Sequence, residues 1–204
     1  MKKIYKMFLL APLLMAFQCD DELESSLEFN EFKVNITSSE NLRINDTIWI
    51  TGKISSRVFD TSVGDSIFFN EFTFGDYVSV MKLKEADQNG NSIDAIDRFN
   101  IVNTIGNLEF VDICRNSDIT PISQLSENSQ FYEYKIGFVP LEIGDYVFSW
   151  NNKTIISNVN RNLFILSDYP INGNPKALEL NKCGSFSSIP NIDNSDSEYF
   201  FSVD

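Results

Sequence analysis

Residues 130–139 read QFYEYKIGFV. Tyr132, Tyr134, Ile136 and Phe138 fall on one side of an extended chain, Glu133 and Lys135 on the other. Successive side chains of a strand point to opposite faces, so this alternation predicts a strand with one buried and one wet face. The same period runs through 46–54 (DTIWITGKI), where Ile48, Ile50 and Ile54 share a face and Thr47, Thr51 and Lys53 share the other. Trp49 falls with the polar set, at an edge or under a loop. Residues 145–150 (DYVFSW) place Tyr146, Phe148 and Trp150 together. Further strands are expected at 77–84, 98–103, 107–114, 162–166 and 198–203. Turn chemistry separates them at Val63-Gly64-Asp65, Asn89-Gly90-Asn91 and Asn172-Gly173-Asn174-Pro175. Short strands at such intervals predict an all-β, antiparallel β-sandwich.

Composition agrees. The 204 residues include eighteen Phe, seven Tyr and two Trp, residue types that suit a pleated, half-buried surface. A chain of this length can build a core without metals or several disulfides. The net charge is −13, from 16 basic and 29 acidic side chains. A body this acidic repels phosphate backbones and anionic head groups, so nucleic acid is not an expected partner. His is absent, which excludes every Ser–His–Asp and Cys–His scheme and the commonest metal ligand.

The N-terminus reads as an address. Lys2, Lys3 and Lys6 precede an eleven-residue apolar run, MFLLAPLLMAF at 7–17. A basic start followed by a short apolar stretch has the form of a secretory signal, and the run is too short for a membrane-spanning helix. Cys19 follows, then Asp20, Asp21, Glu22 and Glu24. This arrangement resembles a bacterial lipobox, which implies cleavage after residue 18 and a lipid on Cys19. Gln18 and Ala16 stand where such motifs usually carry a small residue and Leu, and ordinary secretion is the rival outcome. The acidic run resembles the surface-export signal of Bacteroidetes lipoproteins; a solvated tether is the alternative. The implied partner is a membrane, held through the N-terminal lipid, because acyl chains supply an affinity that the acidic body lacks.

With Cys19 lipidated, Cys114 and Cys183 remain as an even pair. An exported chain meets an oxidising compartment, so these two are candidates for a disulfide; two buried thiols are the alternative.

Glu142-Ile143-Gly144-Asp145-Tyr146-Val147-Phe148 resembles the tyrosine corner of immunoglobulin-like sandwiches. The resemblance implies that Gly144 makes the turn and that Tyr146 packs inward with its hydroxyl on a backbone group. Phe148 stands where antibody domains carry a Cys, so the likeness is to bacterial repeat and adhesion modules. As a whole, the chain resembles uncharacterised Bacteroidetes surface lipoproteins with one immunoglobulin-like β-sandwich domain. The implied organisation is a signal peptide at 1–18, an acidic tether at 19–27, the sandwich at 28–167, and a C-terminal extension at 168–204 whose last strand packs on the sandwich.

Asp87, Asn89, Asn91 and Asp94, with Asp97 beyond, are spaced like oxygen ligands of a Ca2+ loop. Ser92 and Arg98 occupy the places where an EF-hand needs Gly and Glu, so a looser calcium site competes with a polar Asn-Gly hairpin. Asp65-Ser66-Ile67 resembles the short O-glycosylation pattern of Bacteroidetes exported proteins and makes Ser66 a candidate; Asp46-Thr47-Ile48 is a weaker one. Asp193 with Asp196, or Asp20 with Asp21, could serve a glycosidase only if they faced each other across a pocket. Trp49 is a candidate for stacking on a carbohydrate. No catalytic residue and no cofactor beyond possible Ca2+ is expected. The expectation is a non-catalytic surface lipoprotein of the outer membrane, binding a protein or glycan ligand; the alternative is a glycan- or nutrient-binding accessory of an outer-membrane uptake system.

Overall fold

The computed structural model describes residues 26–37, 41–70, 74–150, 154–171, 173, 174 and 176–204. The leader, Cys19 and the run Asp20-Asp21-Glu22 lie outside them. The described chain is an all-β sandwich. One sheet runs β11 (Gln124–Leu125), β12 (Phe131–Pro140), β3 (Ile48–Ser55), β2 (Phe32–Thr37), β14 (Thr154–Ile156), with β8 (Phe99–Ile105) also paired to β12. The second runs β17 (Glu198–Val203), β13 (Gly144–Trp150), β6 (Val78–Asp87), β10 (Asp118–Ile122), β9 (Asn107–Phe110), with β7 (Gly90–Asp94) paired to β6. Pairing is antiparallel except that β14 runs parallel to β2. A small sheet of β1 (Leu27–Glu28), β4 (Arg57–Asp60) and β5 (Asp65–Phe68) flanks them. Leu27, the last residue assigned to the tether, is therefore already in a strand, paired to Asp60.

The period-two pattern predicts the inner faces. Ile48, Ile50, Ile54, Tyr132, Tyr134, Ile136 and Phe138 are buried from the first sheet. They meet Tyr146, Phe148, Trp150, Tyr199, Phe201 and Val203 from the second. Phe138 and Phe148 touch across the gap with ring centroids 4.7 Å apart, and Phe99 meets Phe138 edge-on at 5.8 Å. Such ring pairs contribute roughly 0.5–1.5 kcal/mol each beyond their area.

The second sheet is buried on both faces, which a half-buried pattern does not predict. Its outer face offers Met81, Leu83, Val147 and Phe200. The C-terminal region covers them with a hairpin, β15 (Leu178–Lys182) and β16 (Ser185–Ile189), and a short helix, α1 (Leu163–Ser167). Ile165, Leu166, Leu178, Leu180, Ile189 and Ile192 close this second core. Fully burying a side chain such as Phe200 is worth roughly 1.5–3 kcal/mol. The expected strand at 162–166 is thus a helix. The reason is local: the Asn162 side chain accepts from the Phe164 and Ile165 amides, at 3.1 and 3.4 Å, and caps the first turn. The C-terminal strand β17 is an integral member of the sheet, paired with β13 from Gly144↔Val203 to Ser149↔Glu198.

Two turns have a local cause. Tyr146 is fully buried and its hydroxyl donates to the Glu142 carbonyl at 2.9 Å, while Gly144 takes φ +140 as the chain passes from β12 in one sheet to β13 in the other. At the tip of the C-terminal hairpin, Cys183 (φ +52) and Gly184 (φ +77) form a two-residue loop with both φ positive, the geometry that matches the twist of the flanking strands. Cys183 is bonded there to Cys114, 69 residues away, with Cα atoms 5.3 Å apart. The disulfide pins the extension to the segment between β9 and β10.

Candidate ligand cleft

A cleft of about 630 Å³ opens at one end of the sandwich, within the size range of small-molecule sites. Its wall begins where β13 ends and β6 starts: Trp150 pairs with Val78, and Asp76 and Tyr77 lie just before that position. Phe29, Phe32 and Phe74 add aromatic walls, and Ser149, Thr154, Lys182, Ser187, Ser197 and Glu198 add polar ones.

Asp76 organises the inner side. It is only 3% exposed, a costly place for a charge unless hydrogen bonds hold it. Three donors converge on its carboxylate: Tyr134 Oη at 2.5 Å, Thr154 Oγ1 at 2.7 Å and the Tyr77 amide at 2.9 Å. Burial raises the Asp76 pKa above the ordinary carboxylate range, and the hydrogen bonds from Tyr134, Thr154 and Tyr77 oppose it. Burial, then the Asp76 charge, pushes the Tyr134 hydroxyl well above its ordinary value, so it stays a donor. Tyr134 reaches Asp76 because its ring lies on Gly52, its partner across β12 and β3. A Cβ at Gly52 would stand 2.1 Å from the ring. Trp150 turns its Nε1–H to the Asp76–Tyr134 pair and acts to lower the pKa of both groups.

The outer side is a polar row crossing four strands. The register places Asp118 opposite Ser79, Ser79 opposite Ser149, and Ser149 opposite Glu198. All four are at most 5% exposed. Lys182, at the end of β15, lies over the row and donates to Ser149 Oγ at 2.9 Å. Burial lowers the Lys182 pKa, and the charges of Glu198 and Asp118 oppose that shift. Glu198 accepts from Ser197 at 3.0 Å, from Ser149 at 3.4 Å and from Ser195. Tyr77 donates to one Asp118 oxygen, and the other has no partner among the described residues.

The residues singled out by sequence lie elsewhere. Asp87 accepts from the Asn89 amide at 2.6 Å and pairs with Lys84 at 2.5 Å. Asn91 is buried between the Tyr169 carbonyl (3.1 Å) and the Glu179 amide (3.0 Å), and Asp94 accepts from the Cys183 amide at 3.1 Å. Asp87, Asn91 and Asp94 thus have separate partners that link β6, β7 and the extension. Ser66 lies in β5, its carbonyl held by Arg57. Asp193 pairs with Lys176 and Asp196 with Arg161. Trp49 lies across Gly137 with the Lys135 ammonium 4.8 Å over its ring, on the wet face of the first sheet rather than at the cleft.

Sequence reasoning did not select Asp76, Tyr77, Lys182 or Glu198. No spacing links them: they meet only through strand register and the folding back of the extension. The nearest signal is Glu198 directly before Tyr199-Phe200-Phe201, a charge at the mouth of an apolar strand. Searched against protein-family models, curated proteins and solved structures, the chain matches none.

Proposed function

We propose that this chain is an exported, lipid-anchored, non-catalytic binding module, of the kind represented by uncharacterised Bacteroidetes surface lipoproteins, and that its ligand enters the cleft beside Trp150. The leader and the lipobox-like Cys19 support the anchor. A disulfide between Cys114 and Cys183 accords with an oxidising compartment. The observation that carries the binding reading is how the cleft's carboxylates are held. Asp76 and Glu198 each accept three hydrogen bonds from the protein's own donors. Groups fixed in this way shape a recess; a general base needs a free lone pair aimed at a substrate proton.

Metabolic labelling with palmitate tests the anchor. Label is expected on the wild-type chain and lost in Cys19→Ala. An unlabelled wild type that is fully secreted would remove the anchor from the proposal. Protease treatment of intact cells then reports the side on which the sandwich lies.

A further inference from the structure

We propose that the cleft takes a neutral, hydroxyl-rich ligand, a sugar, whose oxygens accept from Lys182. The inference rests on the binding reading above and names the chemistry of the ligand. The unspent polar group on the cleft wall is a donor. Trp150 is 3% exposed and its Nε1–H is turned to Asp76 and Tyr134, which leaves the Lys182 ammonium as the donor facing the cleft. Lys182 has three N–H groups and gives one of them to Ser149 Oγ. A ligand that completes this site must therefore present acceptor oxygens.

Charge narrows the class. Asp76 and Glu198 share the wall with the single cation Lys182, and Asp118 lies in the row beneath. An anionic acceptor, such as a carboxylate, would enter a net negative recess inside an acidic protein. A cation would meet the Lys182 ammonium and carboxylates whose lone pairs are already engaged. A neutral hydroxyl avoids both penalties, because it accepts from Lys182 and brings no charge of its own. The aromatic faces of Phe29, Phe32, Phe74 and Tyr77 supply an apolar wall for the C–H side of a ring.

The experiment uses the full chain in a sugar-free zwitterionic detergent, with Trp49→Phe leaving Trp150 as the one indole. The nitrogen-15 indole signal is followed while glucose, galactose, mannose, N-acetylglucosamine and their disaccharides are titrated to tens of millimolar. Glucuronate, glucosamine and a blocked dipeptide amide run in parallel. At least one neutral sugar is expected to shift the signal saturably. Lys182→Met is expected to weaken that binding about tenfold or more while leaving the amide spectrum folded. If glucuronate, glucosamine or the dipeptide amide binds more tightly than every neutral sugar, the ligand class is overturned and the binding cleft stands. If no neutral sugar shifts the signal, or if Lys182→Met does not weaken binding, the inference is overturned; the palmitate result is independent of either outcome.

Discussion

Breaking the Cys114–Cys183 disulfide should lower the melting temperature by about 8–16 °C. The bridge closes a loop with a sequence separation of 69. In the chain-entropy account, a cross-link of that span removes about 4 kcal/mol of unfolded-state freedom. For a domain of this size each kcal/mol corresponds to about 2–4 °C. The fold offers no obvious compensation, because the bridge joins the segment after β9 to the tip of the hairpin that covers Met81, Leu83 and Phe200. The assay is calorimetry on the oxidised chain, the chain in excess reductant, and the Cys114→Ser/Cys183→Ser variant in one buffer. The two reduced forms should melt together, well below the oxidised form. A double variant melting within about 2 °C of the oxidised wild type would refute the reasoning, since the loop would then constrain nothing.

Gly52→Ala places a methyl group against the Tyr134 ring. Overpacking of this kind costs about 1–3 kcal/mol, and denaturant unfolding should show it together with a loss of the Tyr134–Asp76 hydrogen bond. Tyr146→Phe leaves the Glu142 carbonyl without its hydroxyl donor and should cost about 1–3 kcal/mol, readable as a lower urea midpoint at unchanged slope. The raised Asp76 pKa means that the folded state binds a proton more readily than the unfolded one. Asp76 therefore weighs against stability at neutral pH. That handicap is relieved as pH falls through its folded pKa toward the ordinary carboxylate range. The melting temperature of wild type minus that of Asp76→Asn should rise across this acidic window; a flat or falling difference would contradict the assignment.

The inner core was legible where one face of a strand is wet. Residues 48–54, 132–138 and 146–150 show their buried sets directly, and β17 coincides with the expected 198–203. β2 (FKVNIT) alternates as cleanly, with every second residue buried, and stands beyond the set of strands expected from the sequence. The segment 162–166 misled because a run of apolar residues fits a buried strand or a buried helical turn, and only the Asn162 cap separates them. The second core was hidden because Val147 and Phe200 interrupt the alternation and nothing local says that the extension folds back over them. The cleft was illegible for a related reason. Asp76, Trp150, Lys182 and Glu198 come from four distant segments, and residue types alone do not distinguish a carboxylate on the surface from one locked beneath a lysine.

The row Asp118, Ser79, Ser149 and Glu198 has a consequence for how the strands find one another. It interrupts the outer apolar face of the second sheet with polar atoms at a single level. Were β17 to shift by one residue along β13, Glu198 would turn from Lys182 toward the ring of Phe148 or Trp150, and Phe200 would leave its pocket under the hairpin. A slip exchanges faces for a whole strand at once, so one misplaced carboxylate penalises every near-miss pairing in the sheet. The same charges that make the native interior less oily thus act as a keyway, admitting one alignment of four strands and rejecting its neighbours.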